Sequence, residues 1–356
     1  MSDAVVIVNT HTSYLEEQAK FLGYKVYPID KYTKNNLNKI IKKEYLDNFF
    51  KNISSRHKTI KLVYGSGLED KKNTYKMLSD KTLIRGNCFN ILKLTNNITN
   101  LKKILTLSGL KIPKSYDHSI PKDIRCISKP INSYGGYNIS FCNKPKTGYY
   151  FQEYLSGPTY SASFFINEGC FTFLGFNKLF LLKKFNNHPF IHAGAMMIDN
   201  LKNSAKIISL IEKFSSLVPL TGYNSIDFKI CNNDIFVLDV NPRITSTFKI
   251  YNDIYSNMLL NLQLNPKKNY KIIPTQKKNN FYGFVYLFAK EDIVFKNVIK
   301  RNLWLMDLPV KNELVKKGSP LCTIFCSASS RTDLICKLKE KISMTTNHYN
   351  CYHIAI

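Results

Sequence analysis

The sequence predicts an α/β protein, α+β in parts, on three observations. A strand–helix–strand pattern opens the chain, short strands around one long helix fill its middle, and a hairpin with acidic residues inside its strands closes that run. With 356 residues the chain exceeds what one core usually holds, so two or three closely packed units are expected. The expected parts are 1–86, 87–264 and 265–356.

Ala4 to Asn9 (AVVIVN) is a short apolar run, the mark of a parallel strand buried on both faces. Ser13 then supplies a helix cap with Glu16 three residues on, and Gly23 suits the helix end. Lys25 to Asp30 reads as the next strand, completing a βαβ unit. A further strand, Thr59 to Tyr64, ends in Gly65-Ser66-Gly67. This Gly-x-Gly lacks the third glycine of a dinucleotide fingerprint and the acid expected at a following strand end, so it reads as a tight turn.

Asn97 to Gly109 carries leucines and isoleucines on one stripe and predicts a helix. Short strands follow at 125–129, 137–141, 149–154, 161–167 and 170–176, then a helix at 203–217. Two strands, 223–231 and 235–240, flank Asn232-Asn233-Asp234, a hairpin-turn composition. The tail predicts short strands at 285–288 and 321–325 and a helix at 331–342, a small β-rich module. No repeat or low-complexity linker separates these parts, so they are expected to pack against one another.

Hydrophobic residues make up 44% of the chain, too many for a disordered protein. No charged-then-apolar leader opens it, and the apolar stretch around 282–289 is too short to cross a bilayer and holds Gly283. The expected place is the cytoplasm, with no membrane partner. Nine scattered cysteines form no Cys-x-x-Cys pair, and Cys322 and Cys326 lack a second pair at zinc spacing; all read as reduced thiols. The net charge of +26 admits a polyanion partner, an AT-rich coding bias, or anionic small-molecule substrates. Its basic residues are spread along the chain with no aromatic-interleaved motif, which speaks against nucleic acid.

The most specific signal is the hairpin. Asp227 lies in Ser225-Ile-Asp-Phe-Lys229, and Asp239 in Val237-Leu-Asp-Val-Asn-Pro-Arg243. Asp239, Asn241 and Arg243 alternate by two and so face one side of the sheet, a side that Asp227 can share. Two carboxylates and an amide oxygen are hard ligands suited to Mg²⁺ held with phosphates, and the adjacent arginine suits a phosphoryl or acyl-phosphate group. A surface ion-pair network does not account for Asp, Asn and Pro inside one strand.

Asp239-Val-Asn-Pro-Arg243 after an Ile-Asp-Phe strand resembles the ATP-grasp signature, whose usual form is Glu-x-Asn-Pro-Arg and which biotin carboxylase and the amino-acid ligases share. The twelve-residue separation of Asp227 and Asp239 is the one expected between that family's two metal carboxylates, with Asp here replacing the commoner Glu. Ile127-Ser-Lys129-Pro resembles the strand whose lysine reaches the phosphates. Ser133-Tyr-Gly135-Gly136 resembles the glycine loop that closes over them. Phe151-Gln-Glu153-Tyr154-Leu155 resembles the adenine hinge, with the backbone of Tyr154 and Leu155 meeting the base and Glu153 near the amine or ribose. No lysine near Asn97 matches the second ATP-contacting lysine of many members. Lys178 and His192 lie in a segment that could face substrate, although they read first as a solvated lysine and a loop histidine.

The resemblance spans roughly Asn87 to Leu262. It implies an ATP-grasp fold with a Rossmann-like N-terminal pre-ATP-grasp domain and a small β-rich C-terminal module. ATP and Mg²⁺, with Mn²⁺ as an alternative, are the implied cofactors. Asp227, Asp239 and Asn241 would hold the metal, and Arg243 would be catalytic. The implied activity is ADP-forming ligation of a small-molecule carboxylate and an amine through an acyl phosphate. Tyr64 to Glu69, Gly86-Asn87, Asp307-Leu-Pro309 and Gly318 to Cys322 are similar to a group of predicted carboligases, some of whose relatives attach glutamate to amines in one-carbon coenzyme synthesis. A carboxylase acting through carboxyphosphate is a second reading, and a basic nucleic-acid-binding or regulatory protein on an inactive scaffold a third. Self-association into a homo-oligomer stays open.

Overall fold

The first strand is apolar throughout because both its faces are buried. Ala4, Val6 and Val8 pack with Leu46, Phe50 and Ile53 of the helix Lys43–Ser54, while Val5 and Ile7 turn the other way, toward Tyr223, Phe248 and Leu259. The strand sits inside a four-stranded parallel sheet of order Lys25–Ile29, Ala4–Val8, Ile60–Tyr64, Leu83–Ile84. The computed structural model describes residues 3–30, 42–116, 123–131, 135–142, 147–182, 189–273, 280–295, 304–352, 354 and 356. The predicted site residue Ser133 lies outside them.

The middle of the chain forms an eight-stranded antiparallel sheet. Its order is Asp234–Asn241, Gly222–Cys231, Tyr160–Asn167, Cys170–Leu182, Ile191–Ile198, Phe281–Phe288, Pro320–Ala328, Leu305–Met306. The helices Ile98–Ser108, Ser204–Leu217 and Arg331–Thr346 cover one face through Leu105, Ile211 and Leu338. Short helices Phe248–Ile254 and Met258–Leu264 join the other face to the parallel sheet. One cluster of buried residues joins strands of both sheets, with Val5, Ile7 and Val63 packed together with Phe165, Leu174 and Phe284. The helix Ile98–Ser108 has the expected bounds: the Asn97 side chain accepts from the Asn100 amide at 2.9 Å, and Gly109 closes it at φ 87°.

Two differences concern strands. The predicted strand ending at Phe176 runs on to Leu182, and the strand Ile191–Ile198 after it was not predicted. Its sequence, IHAGAMMI, lacks bulk because the neighbouring strand comes close: a Cβ on Gly194 would stand 2.2 Å from the Phe284 carbonyl oxygen. The tail is β-rich as expected, but its long strands extend the central sheet instead of forming one of their own.

A smaller antiparallel sheet, Ser115–Tyr116, Tyr149–Glu153, Cys126–Pro130, Ser140–Phe141, stands over the Asp234–Asn241 hairpin. Lys129 bridges the two sheets by donating to the Leu238 carbonyl at 3.0 Å. Between them and the carboxyl edge of the parallel sheet lies a cavity of about 1010 Å³.

Candidate functional site

The hairpin sets the centre of the cavity. Asn232 and Asn233 both adopt positive φ, 50° and 65°, the conformation of a two-residue turn that matches strand twist. That turn fixes the register from Cys231 opposite Asp234 to Phe228 opposite Val237, which if continued would put Asp227 opposite Leu238; Asp227 instead stands opposite Asp239. The register shift between Asp227 and Phe228 is a local irregularity of the sort that re-aims side chains beside functional sites.

Two half-buried carboxylates this close repel each other. Burial pushes Asp227 up to about 7; the Asp239 charge adds to the push, and Ser161, Arg243 and Asn241 oppose it. Burial also raises Asp239, with Lys129 and then Arg243 pulling back. Burial alone would lower the Lys129 pKa, but Tyr150 and then Asp239 and Asp227 outweigh it and leave it above the ordinary lysine value. Lys129 is therefore a full cation beside the pair.

Arg243 is clamped from two sides. Its Nε meets Glu69 Oε1 at 2.6 Å, and its Nη2 donates to Asn241 Oδ1 at 3.0 Å. The Asn241 amide in turn donates to Asp227 at 3.4 Å. Glu69 was not picked out by sequence reasoning. It reaches Arg243 because the Gly65-Ser66-Gly67 turn carries it there. A Cβ on Gly65 would lie 2.3 Å from Asn9 Oδ1; Ser66 N–H donates to that oxygen at 3.1 Å, and Gly67 N–H donates to Glu69 Oε2 at 2.6 Å. The turn's amides are thus used within the protein, which agrees with reading it as a turn and not a dinucleotide site.

The residues expected to form the adenine hinge line the cavity. The Tyr154 N–H donates to the Arg125 carbonyl at 2.8 Å, which leaves its carbonyl as the backbone group for a base. The Tyr154 ring lies 5.0 Å from Phe141 and 6.0 Å from Phe190, with the Arg125 guanidinium 3.8 Å from the Phe141 centroid. Leu155 and Gly157 carbonyls accept from the buried Lys229, at 2.7 and 2.8 Å. Glu153 lines the same wall. Lys229 was missed, although the signal was present: it lies two residues from Asp227 on one strand.

Gly135 and Gly136 also line the cavity. The His192 N–H donates to the Gly135 carbonyl at 3.0 Å, and Gly136, at φ 76°, lies so near the Phe190 carbonyl that a Cβ would stand 1.8 Å from it. Lys178 and His192, read in the sequence as solvent and loop residues, instead sit on strands at the cavity wall. Burial pulls the His192 pKa down to about 4, so its ring is neutral at physiological pH.

The donor set fits a hard divalent cation. Asp227 and Asp239 contribute charged oxygens and Asn241 an amide oxygen with a second lone pair. Among the described residues no third carboxylate, His or Cys completes a cage. That leaves coordination positions for phosphate oxygens and water, the pattern by which Mg²⁺ is commonly held.

Parallel-sheet edge, paired sheets and opposed carboxylates meet at one cavity. Residues 95–247 match the family model of the ATP-grasp domain. The chain's particular relatives follow. It is 26% identical over 362 residues to the uncharacterised protein MJ0776 of Methanocaldococcus jannaschii, covering 92% of this chain and 89% of that one. Its fold is similar to biotin carboxylase from Campylobacter jejuni at TM-score 0.72 and 13% identity, over 96% of this chain and 90% of that one. It is similar to an L-amino acid ligase from Bacillus licheniformis at TM-score 0.69 and 14% identity, over 96% and 97%. It is similar to N5-carboxyaminoimidazole synthetase from Staphylococcus aureus, solved with ADP, at TM-score 0.70 and 14% identity, over 96% of each chain.

Proposed function

We propose that the protein is an ATP-dependent carboxylate–amine ligase working through an acyl phosphate. The observation that carries this reading is the Asp227–Asp239 pair, opposed across the hairpin, sharing one cavity with Lys129 and a clamped Arg243. Asp227, Asp239 and Asn241 would hold Mg²⁺, which when bound neutralises phosphate charge. Lys129 sets its charge against the phosphates, and Gly135 and Gly136 cover them with backbone.

A substrate carboxylate oxygen then forms a bond to the γ-phosphorus while the bond to the β-phosphate oxygen breaks, releasing ADP. Arg243 is positioned to stabilise the charge that develops. An amine nitrogen attacks the acyl carbon, the carbon–oxygen bond to phosphate breaks, and the nitrogen loses a proton. Lys178, Lys249 and Arg243 make the cavity wall cationic, which suits an acid bearing two carboxylates; glutamate is the finer form of this proposal. Among the described residues no helix is long and apolar enough to cross a membrane, and the cytoplasm is the proposed place.

The test is ADP and phosphate release from Mg-ATP with a panel of acids and amines, glutamate foremost, and mass analysis of products. ADP release dependent on one acid–amine pair, with a condensed product, supports the ligase. ADP release dependent on bicarbonate, with a carboxylated product, replaces it with the carboxylase. Absence of ATP binding under all pairings would return the chain to a binding role.

Glu69 provides a sharper test of the arginine clamp. Glu69→Gln keeps the shape and removes the charge that fixes Arg243. The expected result is a kcat lowered by about 10- to 100-fold with the KM for ATP little changed, as for a residue that orients a catalytic group. A raised KM with kcat intact would show that Arg243 serves binding alone.

A further inference from the structure

Asp307 stands apart in the cavity. Its wall carries six cationic side chains, Arg125, Lys129, Lys178, Lys229, Arg243 and Lys249, and two of its carboxylates already face a metal and phosphate region. Asp307 belongs to neither set. Its oxygens accept from two hydroxyls, Ser13 on one side and Thr323 at 2.6 Å on the other. Among the described residues no Lys, Arg or His forms an ion pair with it. Nearby acids are matched: Asp253 holds Lys249 at 3.1 Å, and Glu69 holds Arg243. Hydroxyls satisfy lone pairs but leave the negative charge uncompensated.

The backbone at Asp307 is held at φ 54°, a left-handed conformation that Asp tolerates better than most residues but that still marks a constrained position. It follows Met306, which pairs with Thr323, and Thr323 in turn pairs with Tyr286. The next pair on the same face is Phe284 opposite Phe325, and the Lys249 ammonium lies 4.3 Å from the Phe325 ring centroid, so that ring already has its cation. The neutral His192 ring lies 5.8 Å from Tyr286 and 6.1 Å from Phe284. The carboxylate therefore stands at the end of an aromatic floor within the cavity.

We propose that Asp307 and this floor form the subsite for the amine substrate, binding a primary ammonium group carried on an apolar or aromatic body. The inference rests on the ligase reading, because an amide-forming enzyme must seat two substrates of opposite charge. The acid goes to the lysine- and arginine-lined wall. The amine, a cation at physiological pH, is repelled from that wall and attracted to the unmatched carboxylate. The rings of Phe284 and Tyr286 add apolar contact for the body of the amine, while Lys249, over Phe325, keeps the ammonium at the Asp307 end.

The test measures binding, not turnover, so that it stands apart from the ligase assay. Calorimetric titration of the full chain with 2-phenylethylamine is expected to give saturable binding, with none detected for 2-phenylethanol, the uncharged counterpart. Asp307→Asn keeps the hydroxyl contacts and the left-handed backbone, and is expected to weaken amine binding at least tenfold while ATP binding stays within twofold. Equal binding of amine and alcohol by the unaltered protein, no amine binding at millimolar concentration, or unchanged amine binding by a folded Asp307→Asn protein would each overturn the subsite. The comparison of amine with alcohol needs no variant, so it decides the matter even if Asp307→Asn fails to fold. Ligase failure would appear differently, as amine binding retained without any ADP release.

Discussion

Asp239→Asn is expected to lower ATP turnover by at least about 1000-fold while leaving the fold intact. The substitution is nearly isosteric, and the side-chain oxygen that accepts from the Val240 amide at 3.0 Å is kept. What is lost is one of two opposed charges at the cavity centre. A single carboxylate and an amide make a weak site for a divalent ion, and Lys129 and Arg243 are left with an excess of positive charge. Burial disfavours the ionised Asp239, so its removal relieves strain in the empty protein. The variant should therefore melt no lower than the parent. ADP release measured beside a thermal melt checks both points. Turnover within tenfold of the parent would remove Asp239 from the metal assignment.

Asn87→Leu is expected to destabilise the protein by about 3–5 kcal/mol. Asn87 is 1% exposed, and its carboxamide is fully used. Its oxygen accepts from the Thr221 amide at 2.8 Å. Its nitrogen contacts the Thr221 carbonyl at 3.0 Å, Asn224 Oδ1 at 2.9 Å and the Pro242 carbonyl at 3.0 Å. One side chain at the end of the parallel unit thus ties the start of the Asp227 strand to the residue before Arg243. Leucine fills the space and satisfies none of these groups. Each buried polar group left without a partner costs about 1–3 kcal/mol, which sets the total. Urea unfolding of parent and variant gives the difference. A change under about 1 kcal/mol would mean that water or a rearranged neighbour replaces the tie.

The site was legible where its logic is local. Asp227, Asp239 and Asn241 could be found because their residue types stand out inside apolar strands and a period of two puts Asp239 and Asn241 on one face; that Asp227 stands opposite Asp239 and not Leu238 was decided by the register shift. The same period reaches Lys229, which could have been named with them. Glu69 could not. It is 174 residues from Arg243, and only the docking of the parallel unit against the hairpin brings the two within 2.6 Å. The strand Ile191–Ile198 was missed for a related reason. Its glycine and alanines answer to the approach of Phe284, a neighbour 90 residues beyond Gly194.

The sequence by itself determined the parallel opening unit, the hairpin and the carboxylates that its strands carry. Each is encoded by apolar period, turn chemistry or residue type within short stretches, and these act before the chain is folded. The tertiary structure decided which groups complete the site. It pinned Arg243 with Glu69, placed Lys178 and His192 on the cavity wall, and set Asp307 beside an aromatic face. Those outcomes depend on which surfaces meet when apolar faces are buried, and that choice is made by the whole chain at once.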